Sequence, residues 1–240
     1  MFDKTISFKA PKKYLDLKEQ FPEPIKLNIP KWFKKLEHNS DTKTVKGCMP
    51  FLDTLTTGYL LRLPQDFHLK HNFKDGDNYV SFLNPSLDDN NKCNLNTKDY
   101  NGVHPTFQFE GSSIEKKNNN FPAFKILNPW TIETPKNYSC LFLPPLNNTD
   151  DRFSIIPGIV NTDTYNQPIN FPIYLNGDKY PIQDTILKKG TAYVQIIPFK
   201  RDSWKFKVEE EKNFAKNFFK YNLNYLHIYK NKFWNKISWK

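Results

Sequence analysis

Apolar residues fall in short runs along most of this chain, and polar residues or prolines separate one run from the next. In several runs apolar and polar positions alternate, which is typical of a strand with one buried face. Such runs predict strands within residues 42–69 and then at 78–83, 106–110, 124–127, 139–143, 153–160, 169–175 and 192–199. Short strands with frequent turn signals predict a sandwich or barrel-like β fold. The polar stretch 85–100 is predicted to be a loop.

The two ends of the chain have different patterns. Residues 1–40 mix short apolar pairs with lysines and prolines, which favour extended backbone, and predict an arm with one helical turn at 32–36. In residues 208–236 acidic side chains precede lysines, and aromatic residues recur at steps of three and four, so this stretch predicts an amphipathic helix. The predicted organisation is an N-terminal arm at 1–40, a β-rich domain at 41–205 and a C-terminal helix at 206–240.

Composition supports the β class and excludes a membrane span. Aromatic residues make up 16% of the chain, and 18 prolines stand against 8 glycines. Phe, Tyr and Trp favour strands and broad packed surfaces. No run approaches the 18 or more apolar residues that a membrane helix needs. Cys48, Cys93 and Cys140 are odd in number and lack metal-ligand spacing, so we expect incidental thiols in a reducing compartment.

The formal charge of +10 could indicate nucleic-acid binding. The lysines, however, are spread along the chain together with many asparagines and isoleucines, while alanine is scarce. That bias is typical of an A+T-rich genome, which raises the lysine content without selection for binding phosphate. We therefore do not expect nucleic acid as a partner.

Four segments carry motif-like sequences. Residues 56–61 read TTGYLL, residues 157–165 read PGIVNTDTY, and residues 188–197 read KKGTAYVQII. Residues 144–147 read PPLN. In this order the segments resemble the signature motifs of the dUTPase and dCTP-deaminase superfamily over about residues 45–200. The resemblance implies a β-clip core and an oligomer, usually a trimer. It also implies a degenerate nucleotide pocket, formed by Tyr59, Asn161, Asp163, Tyr165 and Gln195.

The departures from that family bear on chemistry. Asn161 stands where the family has an aspartate that positions water, and an amide cannot act as a base. Leu146 and Asn147 replace the arginine and serine of the phosphate site, and Leu60 replaces the aspartate of the first motif. An extra residue, Thr164, precedes the tyrosine, and the glycine-rich C-terminal arm is absent. Because phosphoryl transfer depends on such positioning and charge stabilisation, the resemblance favours a protein without enzymatic activity.

Other strings, at 128–132, 171–172 and 195–201, resemble a group of uncharacterised proteins of marine bacteriophages. We therefore expect a virion structural or assembly protein, found in the virion or the host cytoplasm. Its expected partners are copies of itself and other virion proteins, and it is expected to need no cofactor. The alternative is a deoxypyrimidine-nucleotide binding protein or hydrolase in which Asp163 and Tyr165 act in altered geometry with Mg²⁺.

Two further sets of residues have candidate chemistry. His68 and His71 are close in sequence, but without a third ligand a metal site is not predicted, and a solvated loop edge is the default. Asp53 and Asp163 are the carboxylates of interest. For both, a turn or capping role outweighs a catalytic one.

Overall fold

The computed structural model describes residues 4–16, 18–74, 78–83, 101–147, 150–214 and 228–240, which are mainly β, as predicted. These residues form fourteen strands: β1 Ser7–Lys9, β2 Glu23–Pro24, β3 Tyr59–Arg62, β4 Phe67–Asn72, β5 Tyr79–Leu83, β6 Asn101–His104, β7 Ala123–Ile126, β8 Thr131–Glu133, β9 Tyr138–Leu143, β10 Phe153–Ile155, β11 Gly158–Val160, β12 Phe171–Leu175, β13 Ile182–Leu187 and β14 Ala192–Lys200. Their five short α-helices are α1 Lys12–Leu15, α2 Lys31–Lys35, α3 Met49–Thr54, α4 Ser113–Lys117 and α5 Ile228–Lys232.

The strands form four sheets. The largest has the order β11-β9-β14-β3-β2, and the next has the order β10-β12-β7-β6. A three-stranded sheet, β13-β4-β5, and the pair β1-β8 complete the set among the described residues. The registered pairs are antiparallel, and most of them join strands that are far apart in the sequence, such as β1 with β8 and β4 with β13.

The chain forms two compact units, Met1–Glu23 with Gly58–Lys200, and Pro24–Thr57 with Arg201–Lys240. In the first unit the side chains that alternate inward from the sheets form a continuous core of leucine, isoleucine and aromatic residues. Among the described residues of the second unit, the buried apolar side chains are Ile25, Phe33, Met49 and Leu55. The predicted arm, domain and helix are each one continuous stretch of the chain. Each observed unit instead combines residues from more than one of these predicted segments.

Several predicted strands are confirmed within a residue or two, including those at β5, β7, β9, β12 and β14. The predicted strand at 106–110 is wrong. Pro105 precedes a 3-10 turn at Thr106–Phe109, in which the Gln108 amide donates to the Pro105 carbonyl at 3.1 Å. The local turn set by proline overrides the alternation there.

Strand structure predicted around residues 51–52 is also wrong, because this part of the chain is helix α3. Pro50 lies in the first turn of α3, where a missing amide hydrogen costs nothing, and the Leu52 amide donates to the Cys48 carbonyl at 3.0 Å. The predicted strand at 153–160 is two strands, β10 and β11, and Pro157 lies between them.

The predicted C-terminal helix begins too early. Residues 201–211 have neither helix nor strand hydrogen bonding, and the described helix in this region is α5. From 208 to 213 only Val208 is apolar, so no stripe at steps of three or four stabilises a helical turn. The rest of the predicted helix, at 215–227, and the predicted loop at 85–100 lie outside the described residues. No helix formed by the described residues has the length and apolar character needed to cross a membrane.

Candidate functional site

The turn that follows β11 holds two of the predicted pocket residues. The Asn161 side-chain oxygen accepts a hydrogen bond from the Ser139 hydroxyl at 2.8 Å, and its carbonyl accepts from the Tyr165 amide at 3.0 Å. One carboxylate oxygen of Asp163 accepts from the Asn137 amide at 2.8 Å. Asn161 and Asp163 therefore fasten this turn to the start of β9, which is a structural use of both side chains.

A fully buried threonine, which the sequence analysis did not single out, lies beneath the same turn. Thr162 contacts the Cys140 sulfur at 3.3 Å and shares a 2.7 Å hydrogen bond with the Thr134 hydroxyl. Burial raises the pKa of the Cys140 thiol to about 11. The thiol is therefore protonated at neutral pH and serves as a packing group rather than as a nucleophile.

The two predicted pocket tyrosines lie in different surroundings. The ring of Tyr59, at the start of β3, meets Phe8 edge to face with centroids 5.5 Å apart, and burial raises the pKa of Tyr59. Tyr165 is 44% exposed. Of the two, only Tyr165 presents a substantial surface to a ligand.

Gln195 is fully buried in β14, and its side-chain oxygen accepts a hydrogen bond from the Leu146 amide at 2.9 Å. It lies opposite Leu143 at the end of β9, whereas Asn161 is bound to Ser139 near the start of that strand. Four residues of strand separate these positions, a distance of about 13 Å. Within one chain the predicted residues thus form two groups rather than one pocket.

A cleft of about 120 Å³ lies beside the segment that resembles the family's phosphate site. It is lined by Pro144, Pro145, Asp150, Asp151, Phe153, Ser154, Ala192 and Tyr193. A β-bulge between Ala192 and Val194 gives β14 one extra residue, Tyr193. Bulges commonly change the direction of a side chain on the bulged strand. The hydroxyl of Tyr193 is buried and meets no hydrogen-bond partner among the described residues, and burial raises its pKa.

The first aspartate of this cleft is held by an arginine. The Arg152 guanidinium donates to the two carboxylate oxygens of Asp150 at 2.9 and 2.7 Å, and its remaining terminal nitrogen donates to the Thr185 hydroxyl at 2.7 Å. These hydrogen bonds hold the pKa of Asp150 below its usual value. Arg152 is thus committed to a carboxylate rather than turned toward a phosphate.

The second aspartate is also ionised and paired. Asp151 accepts a hydrogen bond from Lys179 and another from the Tyr180 hydroxyl at 2.6 Å, and these bonds lower its pKa, the lysine first. The cleft therefore presents two carboxylates at neutral pH. Each carboxylate is neutralised by a basic side chain, Arg152 or Lys179, so these basic groups are engaged within the chain rather than aimed at a phosphate.

The histidine pair does not converge on a ligand. The buried ring of His71 donates from Nε2 to the Tyr180 carbonyl at 2.6 Å, while His68 Nε2 lies 2.5 Å from a carboxylate oxygen of Asp184. The two histidines are three residues apart in β4, so their side chains project from opposite faces of the sheet. Within the described ranges, no group of three or more His, Cys, Asp and Glu side chains is placed to hold a metal ion.

Asp53 has a structural partner in its own unit. Both of its carboxylate oxygens accept a hydrogen bond from the Trp234 indole, at 3.1 and 3.0 Å. The carboxylate therefore joins α3 to the C-terminal segment, in keeping with the structural role expected for it.

The residues after β14 form the most conspicuous exposed feature. Trp204, Phe206 and Val208 are 90%, 93% and 88% exposed. The ammonium of Lys207 pairs with Glu209, two residues on. Sequence reasoning missed this segment because Val208 was assigned to a helix, although alternation from 204 to 208 is a strand signal.

Comparisons with known proteins add no relative to this picture. No family model matches the chain, and no curated protein shows significant similarity to it.

Proposed function

We propose that this protein is a non-enzymatic subunit of an assembly, a phage virion structural or assembly protein built on a dUTPase-like oligomeric fold. Its partners are copies of itself and other virion proteins, in the virion or the host cytoplasm. The observation that carries the proposal is the exposed alternation of Trp204, Phe206 and Val208.

Exposed apolar groups of this size favour association. Burying a large apolar side chain contributes about 1.5–3 kcal/mol, and three such side chains lie within five residues here. A contiguous apolar patch on a protein surface marks a site for a partner more often than it marks an accident of composition. Tryptophan and phenylalanine are also enriched at the centres of protein interfaces.

The chemistry of the predicted pocket supports the same proposal. Asn161 and Asp163 are engaged in a turn, and Arg152 and Lys179, the basic groups beside the cleft, are paired with its two aspartates. A site for phosphoryl transfer needs basic groups or a metal aimed at the phosphates. The described side chains favour a structural role over a nucleotide site.

The direct test is sedimentation velocity of the full chain over a range of concentrations. We expect an oligomer, and we expect Trp204→Ser with Phe206→Ser to shift it toward the monomer. Phe107→Ser is the matched control, because Phe107 is also a solvent-exposed phenylalanine, at 71%, but lies outside the segment. The control should sediment as the wild type does. A wild-type chain that stays monomeric at every concentration would contradict the proposal.

The same samples test the alternative function. A ligand that binds only the folded state raises the melting temperature. Because the proposal includes no nucleotide binding, thermal melts with a panel of deoxynucleotides and Mg²⁺ should show no stabilisation. A rise with dUTP or dCTP that Tyr165→Ala abolishes would replace the proposal with deoxypyrimidine-nucleotide binding. Mass spectrometry of purified phage particles then asks whether this chain is among their components.

A further inference from the structure

We infer that residues 203–212, here called the exposed segment, pair antiparallel with the same segment of a second copy of this chain. The inference rests on the proposed function and specifies the contact by which two subunits recognise each other. Its first observation is that the apolar side chains at 204, 206 and 208 are all at least 88% exposed. Alternation of this kind places them on one side of an extended backbone.

The second observation fixes the opposite side. Lys207 and Glu209 form an ion pair, so these two side chains project in the same direction. Positions two apart share a side in a strand but not in a helix. From 204 to 209 the exposed segment therefore has its apolar side chains at even numbers and its charged side chains at odd numbers, which is the geometry of a strand not yet in a sheet. Glu210 and Lys212 also lie at even numbers, and the chain turns at residues 212 and 213.

The order of charges then selects the partner. Lys205 and Lys207 come first, and Glu209 and Glu211 follow at the same spacing. An antiparallel pair with Val208 opposite Val208 places Lys207 opposite Glu209 and Lys205 opposite Glu211. Two-fold symmetry makes each of these contacts twice. Opposite charges directly across an antiparallel pair are stabilising.

The apolar side fits the same register. Val208 meets Val208 on the two-fold axis, and Phe206 lies diagonally adjacent to the Val208 of the other copy, within reach of an aromatic ring. Trp204 lies opposite Lys212, a pairing that permits a cation–π contact. The apolar contact is therefore centred on Val208 and Phe206 of the two copies, and Glu210, which lies opposite Phe206, borders it.

A parallel pair is disfavoured by the same residues. In parallel register Lys205 and Lys207 would face their own copies, and Glu209 and Glu211 would do likewise. Like charges directly opposite one another are destabilising. A parallel pair staggered by four residues would match the charges but would not close with two-fold symmetry, so among closed pairs the segment is complementary to itself only in the antiparallel sense. This self-complementarity favours a second copy of this chain over an unrelated strand.

Charge reversal tests the inference in the full-length protein. Lys205→Glu with Lys207→Glu gives an acidic segment, and Glu209→Lys with Glu211→Lys gives a basic one. We expect each variant alone to associate at least tenfold more weakly than the wild type in sedimentation equilibrium. An equimolar mixture of the two should associate again, because each supplies the charges that the other lacks. All four substitutions in one chain should also restore self-association.

The outcomes separate the inference from the proposed function. If the wild type associates and neither variant weakens it, the antiparallel pairing is wrong while assembly stands. If both variants weaken it but the mixture does not recover, the segment meets a different surface and the pairing is again wrong. If the wild type never associates, both ideas fail. Thermal melts of each variant should match the wild type, because the substituted side chains are exposed.

A cysteine probe tests the register itself. With Cys48 and Cys93 replaced by serine, Val208→Cys should form an intermolecular disulfide on mild oxidation, since the two copies of residue 208 face each other on the axis. Lys205→Cys in the same background is the control and should crosslink at least tenfold more slowly. Equal rates at both positions would overturn the register.

Discussion

Strand β12 and residues 204–208 have the same pattern of apolar positions. Each is five residues long, with large apolar side chains at the first, third and fifth places. In β12 these side chains are Phe171, Ile173 and Leu175, which are at most 2% exposed, and β12 lies between β10 and β7. The corresponding side chains at 204, 206 and 208 are at least 88% exposed, and this stretch has no strand partner among the described residues.

The difference teaches what alternation specifies. Period-two spacing determines which side chains share a face, and this holds in both segments. It does not specify what covers that face. In β12 the cover is the chain's own core, whereas no described residue covers the face at 204–208. An exposed apolar face of this kind is typical of a surface that a partner covers.

The largest predicted effect compares one phenylalanine from each segment. Phe171 packs against Phe142 with ring centroids 5.4 Å apart, and Phe171→Ala should lower the free energy of unfolding by about 3–5 kcal/mol. Phe206→Ala should change it by about 0.5 kcal/mol or less, because Phe206 is 93% exposed. Urea denaturation at a protein concentration below the dissociation constant measures both. Similar losses for the two variants would break the comparison.

The second effect concerns the backbone at Gly58, just before β3. Gly58 has φ of +84°, and a Cβ there would overlap the Ile196 carbonyl oxygen of β14. Gly58→Ala should therefore cost about 2 kcal/mol or more, since the left-handed conformation alone costs about 1–2 kcal/mol. Gly158→Ala in β11 is the matched control, because a Cβ there meets nothing within 4 Å.

Equal stability of the two glycine variants in urea denaturation would mean that β3 and β14 can separate locally without loss. The expected result would instead tie the close approach of β3 and β14 to a single glycine. This glycine lies in the TTGYLL segment at residues 56–61.

Sequence patterns predicted the strands where alternation and turn residues agree. Phe171, Ile173 and Leu175 of β12 are an example, because proline and asparagine bound the run. The patterns failed where a local proline turn competed, as at Pro105, and where short strands lack a run, as in β1 and β8. Strand β13 was missed because its apolar residues Ile182 and Ile186 face outward and are 57% and 41% exposed.

The candidate site was less predictable than the fold. The roles of Asn161 and Gln195 depend on partners 22 and 49 residues away, Ser139 and Leu146, which no local pattern specifies. The cleft likewise brings Pro144 and Pro145 together with Tyr193, nearly fifty residues away, at a bulge in β14 that no local pattern specifies. The exposed segment was visible in the sequence as alternation, but only its surroundings distinguish it from β12.

The third effect is a dependence of stability on pH that arises from His71, a polar side chain buried in β4. Burial lowers the pKa of His71 below its usual value of 6.5, despite a hydrogen bond to the Tyr180 carbonyl. Below pH 6.5 the unfolded chain takes up a proton that the folded chain does not. Stability should therefore be complete above pH 6.5 and fall as the pH falls toward the lowered pKa, by at most about 1.4 kcal/mol per pH unit.

The variant His71→Phe should lose this dependence, because nothing titrates at that position. Its stability at pH 8 will be lower, since the Tyr180 carbonyl loses its donor. Asp150, Asp151 and Asp184 have lowered pKa values and lose their stabilisation only below about pH 4, so they do not obscure the window. Urea denaturation at pH 8, 6 and 5 gives the measurement, and parallel slopes for wild type and variant would rule out His71 as the source.

The smallest effect concerns strand β1, which, unlike the exposed segment, is paired with another strand of the chain. Strand β1 pairs with β8, and the ion pair between Lys9 and Glu133 spans them at 2.6 Å. Both side chains are exposed by more than a third, so Glu133→Gln should lower the free energy of unfolding by only about 0–1 kcal/mol. The difference should vanish in 1 M salt, where screening acts within about 3 Å. A loss well above about 1 kcal/mol at low salt that disappears in 1 M salt would show that the charges, rather than the packing of Phe8 on Tyr59, hold β1 in place.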